Sequence, residues 1–182
     1  MFMSEEYGNA QTVLMAFLLL RYALMVYAAW HDARTRTFPN TLAVVFALVC
    51  AYEAFLCGGL TDLSVPDGMG GLQEGGFLPK TGFHVLAVNA GIAFAVFIAL
   101  FAFELLWRHF RKEPGLGIGD LKFLSALMLV EPVKALIAFA LGLVALALTG
   151  LLTKKRSLPL LPFIVGSYFA IIFAGCFITF GM

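Results

Sequence analysis

Apolar stretches of about the length that crosses a bilayer follow one another along almost the whole chain. A spanning helix needs about 20 mostly apolar residues. The runs 12–30, 41–60, 83–107, 133–152 and 162–180 meet or approach that length, and charge, glycine or proline interrupts the chain between them. Of the 182 residues, 62% are apolar and only 13% charged. A soluble domain carries about 25% charged residues to cover its surface. The chain therefore reads as an all-α integral membrane protein. Its length excludes nine or more spans and accommodates five to seven. A net charge of +1 argues against nucleic acid as a partner, which would call for a clearly basic face.

Cys50, Cys57 and Cys176 lie in apolar runs without a C-x-x-C pair, and His31, His84 and His109 lie in three separate segments. No metal or redox motif follows from them, so neither a metal nor a cofactor is expected. The first residues are acidic (Glu5, Glu6), unlike the positive start of a cleaved secretory signal. Residues 58–82 are rich in glycine and mildly acidic, and read as a long loop.

Residues 121–153 are too many for one span and too few for two. Glu131-Pro132 breaks them, because proline disfavours helix at the residue before it. The spacing predicts a short fourth helix over 120–130 and a fifth over 133–152. A helix that short rises only about 15 Å and needs shelter from its neighbours. Six transmembrane helices result, the fourth one short, in a single domain. Orientation follows from lysine and arginine. With the loop after span one in the cytoplasm, nine of the 12 basic residues fall on that side. Lys80 and Lys134 fall opposite, and Arg21 lies within the membrane. Both termini are then outside, in a cytoplasmic (inner) membrane.

That topology brings Asp32, leaving span one, and Asp120, entering span four, to the same cytoplasmic face. Glycines at 115, 117 and 119 precede Asp120 and allow a close backbone approach, to which an extended peptide could pair. Lys122 is placed to balance charge nearby. Pro39-Asn40 fixes the return into span two, with a helix start at Thr41. Arg21 lies eleven residues before Asp32, and Glu53 thirteen after Asn40. These offsets, about 16 and 20 Å from the cytoplasmic end, put the two at similar depth and predict an intramembrane ion pair.

Asp32-(six residues)-Pro39-Asn40 together with Gly117-Ile-Gly119-Asp120-Leu-Lys122 resembles the type IV prepilin peptidase family, the G-x-G-D intramembrane aspartic proteases. Leu158-Pro-Leu-Leu-Pro-Phe163 resembles the start of that family's last span, with Leu-Leu where Gly-Pro is usual. The resemblance covers about residues 12–182. It implies that Asp32 and Asp120 form a catalytic dyad, supported by Pro39, Asn40, Gly117, Gly119 and Lys122. The implied substrates are type IV pilin-like precursors, cut after a glycine that ends a short basic leader, just before a hydrophobic helix. Only eight residues separate Trp30 from Pro39, so the cysteine-bearing insert of the larger, N-methylating members is absent. The layout resembles the stand-alone peptidases of tight-adherence (Flp-type) pilus systems and, more distantly, archaeal preflagellin peptidases. Two other readings stay open on the residues alone. The charges at 21, 32, 53 and 120 could line the path of a small transporter or channel, or the chain could be a non-catalytic assembly factor of a pilus or secretion machine.

Overall fold

The computed structural model describes residues 2–63, 80–111, 117–153 and 158–180. They form six α-helices and, among the described residues, no strand. The helices are α1 (Phe2–Thr35), α2 (Asn40–Leu63), α3 (Lys80–Arg111), α4 (Ile118–Met128), α5 (Pro132–Thr153) and α6 (Leu161–Phe180). Four of them carry stretches long and apolar enough to cross a membrane: Thr12–Thr35, Asn40–Cys57, Gly82–Phe110 and Pro132–Thr153. The α6 helix adds a shorter apolar stretch, Leu161–Gly175. This is the architecture of an all-helical membrane protein.

The surface reverses the rule for soluble domains. Leu19, Phe83, Phe94, Leu152 and Phe177 are all more than 60% exposed, which is stable only where the solvent is itself apolar. Neighbouring pairs α1–α2, α2–α3, α3–α5, α5–α6 and α6–α1 close a ring, and α4 is set inside it against α2, α3 and α5. Leu121, Phe123, Leu124, Ala126, Leu127 and Met128 of α4 are all buried. The helix too short to cross a bilayer is therefore sheltered by helices long enough to do so. Phe123 stacks on Phe46 of α2 with ring centroids 4.8 Å apart. Between α5 and α6 the backbones nearly touch: a Cβ on Gly142 would stand 3.1 Å from the Ile164 amide nitrogen.

The helix limits depart from the sequence expectation where polar residues prolong a helix past its apolar stretch. The polar segment 31–40, expected as a loop, is helical as far as Thr35. There Arg36 N–H donates to the Asp32 carbonyl (2.8 Å) and Thr35 Oγ1 to the His31 carbonyl (2.8 Å). Arg36 then takes the left-handed backbone (φ 55°) that ends many helices. The next helix starts at Asn40 rather than Thr41, and the Pro39 carbonyl accepts the Ala43 N–H at 3.1 Å. Residues 58–63 and 80–82 of the expected loop are helical, and 64–79 lie outside the described residues. So do 112–116 and the basic cluster Lys154–Arg156. At the break, Pro132 is the first residue of α5, where its missing N–H costs nothing. The Glu131 carbonyl accepts the Ala135 N–H at 2.9 Å.

Candidate active site

The G-x-G-D stretch is, first of all, a way to start a helix. Gly117 stands at the N-cap of α4 with extended backbone (φ −72°, ψ 136°) and offers no side chain to cap it. Asp120, three residues on, reaches back, and its carboxylate accepts the Gly117 N–H. That is one half of a capping box, in the helix turn where negative charge is favoured. A Cβ on Gly117 would lie 2.9 Å from Asp120 Oδ2, so only glycine leaves the carboxylate this position. Gly119 meets the α1–α2 connection: a Cβ there would stand 2.7 Å from the Cβ of Phe38. The two glycines thus have separate duties. One makes room for the carboxylate, the other lets α4 dock against Phe38.

On the other side, Asp32 sits in the last turn of α1 and is 8% exposed. The connection that follows is fixed by its own polar groups. His31, as the Nδ1–H tautomer, donates to the Thr37 carbonyl (3.0 Å), and Thr37 Oγ1 donates to Thr35 Oγ1 (3.0 Å). Phe38 turns inward and meets Phe123 edge-on (centroids 6.1 Å, 88°). His31 thereby shapes the loop beside Asp32.

Asp32 and Asp120 line one cavity of about 720 Å³. Its apolar wall includes Phe103 of α3, Leu143 and Leu146 of α5 and Leu160, and Arg36 and Arg108 add positive charge. Glu104, 1% exposed, holds Arg108 through its Nε at 2.6 Å. Asp120 lies at the start of α4, outside the four stretches long and apolar enough to cross a membrane. Burial, and then the charge of Asp32, push its carboxyl up to about 7, while the Gly117 N–H acts in the opposite direction. Two carboxyls in one pocket, one of them holding its proton more tightly than usual, have the chemistry to serve as acid and base.

The supporting residues divide. Lys122 Nζ donates to Asn40 Oδ1 at 2.7 Å and so ties α4 to the start of α2. It is not among the residues that line the cavity. Pro39 acts through its carbonyl at the start of α2, as described above. Deeper in the bundle, Arg21 Nε lies 3.2 Å from Glu53 Oε2, with both side chains 3% exposed. The pair is close without being aligned as a hydrogen bond. Arg21 Nη2 donates to Tyr22 OH at 3.3 Å, and the guanidinium lies over the Tyr22 ring, 4.9 Å from its centroid.

Sequence reasoning passed over a polar cluster at the far end of α4. Tyr168 OH of α6 donates to Glu131 Oε2 (2.5 Å), Lys134 Nζ to Glu131 Oε1 (2.6 Å), and Asn89 Nδ2 of α3 to the Leu129 carbonyl (2.9 Å). Burial alone would raise the Glu131 carboxyl. The hydrogen bonds from Lys134 and Tyr168, with the charges of Lys134 and Arg21, outweigh it and hold Glu131 below the usual range. The signal was present: an asparagine inside a long apolar run needs a partner. Among the described residues, no group of three or more His, Cys, Asp and Glu side chains is placed to hold a metal ion. No protein-family model matches the chain, and no curated protein and no solved structure shows significant similarity to it.

Proposed function

We propose that this protein is an intramembrane aspartic endopeptidase that removes the leader peptide from type IV pilin-like precursors at the cytoplasmic face of the membrane. The observation that carries the reading is the meeting of Asp32 and Asp120, from two different helices, in one half-apolar cavity. The close approaches at Gly117 and Gly119 support the reading, because they give each glycine of the G-x-G-D stretch a steric reason. In the full proposal all six helices take part in crossing the bilayer, α4 as a sheltered half-span, with both termini outside.

Asp120 enters the reaction protonated and Asp32 charged. Asp32 takes a proton from a water molecule, and the hydroxide oxygen bonds to the scissile carbonyl carbon. The Asp120 proton passes to the carbonyl oxygen as the tetrahedral diol forms. When the C–N bond breaks, Asp32 gives its proton to the amine nitrogen and one diol hydroxyl returns its proton to Asp120 as the carbonyl re-forms, which restores the dyad. Neither a metal nor a nucleophilic side chain enters these steps. The wall of Phe103, Leu143, Leu146 and Leu160 gives an extended apolar segment a surface to lie on beside the dyad.

The packing also weighs against a continuous ion path. Between the dyad and the Arg21–Glu53 pair lie Met25 and Ala28 of α1, Phe46 and Cys50 of α2, and Leu124 and Leu127 of α4, all at most 1% exposed. Co-expression with a pilin precursor carrying a basic leader tests the proposal. A shortened product is expected, and it disappears with Asp→Asn at 32 or 120. Unprocessed precursor with the parent protein would contradict the reading.

A further inference from the structure

Asp120 stands at one end of a helix of only 11 residues. The position of such a short helix along its own axis decides where that carboxyl lies. Its other end has the usual free carbonyls, and two neighbouring helices take hold there. Asn89 Nδ2 of α3 donates to the Leu129 carbonyl at 2.9 Å and approaches that of Val130 at 3.5 Å. Tyr168 OH of α6 donates to Glu131 Oε2 at 2.5 Å. Asn89 lies within a 29-residue apolar stretch, where a polar side chain is costly unless it is bonded. Tyr168 is fully buried. Each therefore directs its polar group at the same three-residue turn.

We propose that Asn89 and Tyr168 are positioning residues: they pin the turn between α4 and α5, and so hold Asp120 in register with Asp32. The inference rests on the protease reading above and adds to it the device that keeps the dyad assembled. A helix transmits an axial shift from one end to the other, and misplacement of a catalytic group by about 1 Å can cost about 100-fold in rate. The pin is itself braced. The Arg21 guanidinium of α1 lies 5.8 Å from the centre of the Tyr168 ring, Glu53 of α2 pairs with Arg21, and Lys134 of α5 bonds Glu131. At the opposite end of α4 the charged groups around Asp120 are Asp32 and Arg36, in and just after α1, and Arg108 of α3, held by Glu104. The residues of α5 that face it there, Leu143 and Leu146, carry no charge. A change in the pH profile after substitution at Asn89 or Tyr168 therefore reports a movement of α4. Neither residue is among those lining the dyad cavity.

The test uses the full chain in lipid nanodiscs, a pilin-type precursor as substrate, and rates normalised to folded protein. Tyr168→Phe removes one oxygen, and Asn89→Leu replaces the donor amide by an apolar branch with the same number of heavy atoms, in a helix that stays apolar. Each variant is expected to lower kcat by about 10- to 100-fold with KM changed by less than about twofold. The alkaline limb of the rate profile is expected to move to lower pH, because an Asp120 farther from Asp32 gives up its proton more readily. Folded variants with the parent's kcat and the parent's alkaline limb would overturn the inference. Failure of both variants to fold would assign the pin to stability alone and overturn it too. Asp120→Asn is run alongside. If it still cleaves, the protease reading has failed; if it is inactive while the two variants match the parent, only the positioning role has failed.

Discussion

Asp120 couples the chemistry of the site to its stability. Its carboxyl is raised to about 7 by burial and by the charge of Asp32, so the folded protein binds that proton more tightly than the unfolded chain does. The stabilisation is complete below the ordinary aspartate range, near pH 4, and is lost as pH rises through about 7. Unfolding midpoints of the parent are therefore expected to fall between those limits, and those of Asp120→Asn to fall less. A steeper decline in the variant would contradict the assignment. Gly119 offers a purely steric prediction at the same scale. With 2.7 Å between its would-be Cβ and that of Phe38, Gly119→Ala forces the loop or α4 to move, at a cost of about 1–3 kcal/mol. Gly166→Ala, where nothing lies within 4 Å, is expected to be neutral or stabilising by up to about 1 kcal/mol. Thermal unfolding of the two variants in the same detergent separates them, and equal midpoints would remove the packing argument for Gly119.

At the level of helices, Arg21 and Glu53 belong to α1 and α2 and lie 3.2 Å apart with almost no exposure. Arg21→Leu or Glu53→Leu alone leaves the partner charge buried, at a cost of about 3–5 kcal/mol. The double variant is expected to be milder than either, and an additive double variant would show that the two do not interact. This proximity was legible from counting residues along two antiparallel helices, because helical rise is nearly constant. The break at Glu131-Pro132 was legible for an equally local reason, the missing N–H and the bulky ring of proline. The end of α1 was not. Hydropathy reports the membrane boundary, whereas the helix continues for as long as its backbone bonds are satisfied, here to Thr35 and Arg36. The partner of Lys122 was not legible from spacing. Two residues along a helix is about 200° around it, so Lys122 points away from Asp120 and finds Asn40 instead. The separate duties of Gly117 and Gly119 depend on Phe38 and on the Asp120 rotamer, both of which are tertiary facts.

For the whole molecule, a short buried helix within a ring of longer ones gives two polar regions divided by an apolar layer. One region, at the α4–α5 turn, joins five helices through Arg21, Glu53, Asn89, Tyr168 and Lys134. The other holds the paired aspartates. In the proposed topology the dyad faces the cytoplasm. Cysteines placed at Gly70 and Lys155 test this: in sealed cells a membrane-impermeant reagent is expected to label position 70 and spare position 155. The reverse pattern would turn the dyad to the opposite face. The central claim is narrower than the topology, namely that Asp32 and Asp120 act as one catalytic unit. Its most direct measurement is the rate of precursor cleavage by well-expressed Asp32→Asn, Asp120→Asn and double variants. The account predicts a loss of several orders of magnitude in each single variant and almost no further loss in the double, because groups that act together do not contribute additively. An Asp120→Asn protein that trims the precursor at near the parent rate would contradict it.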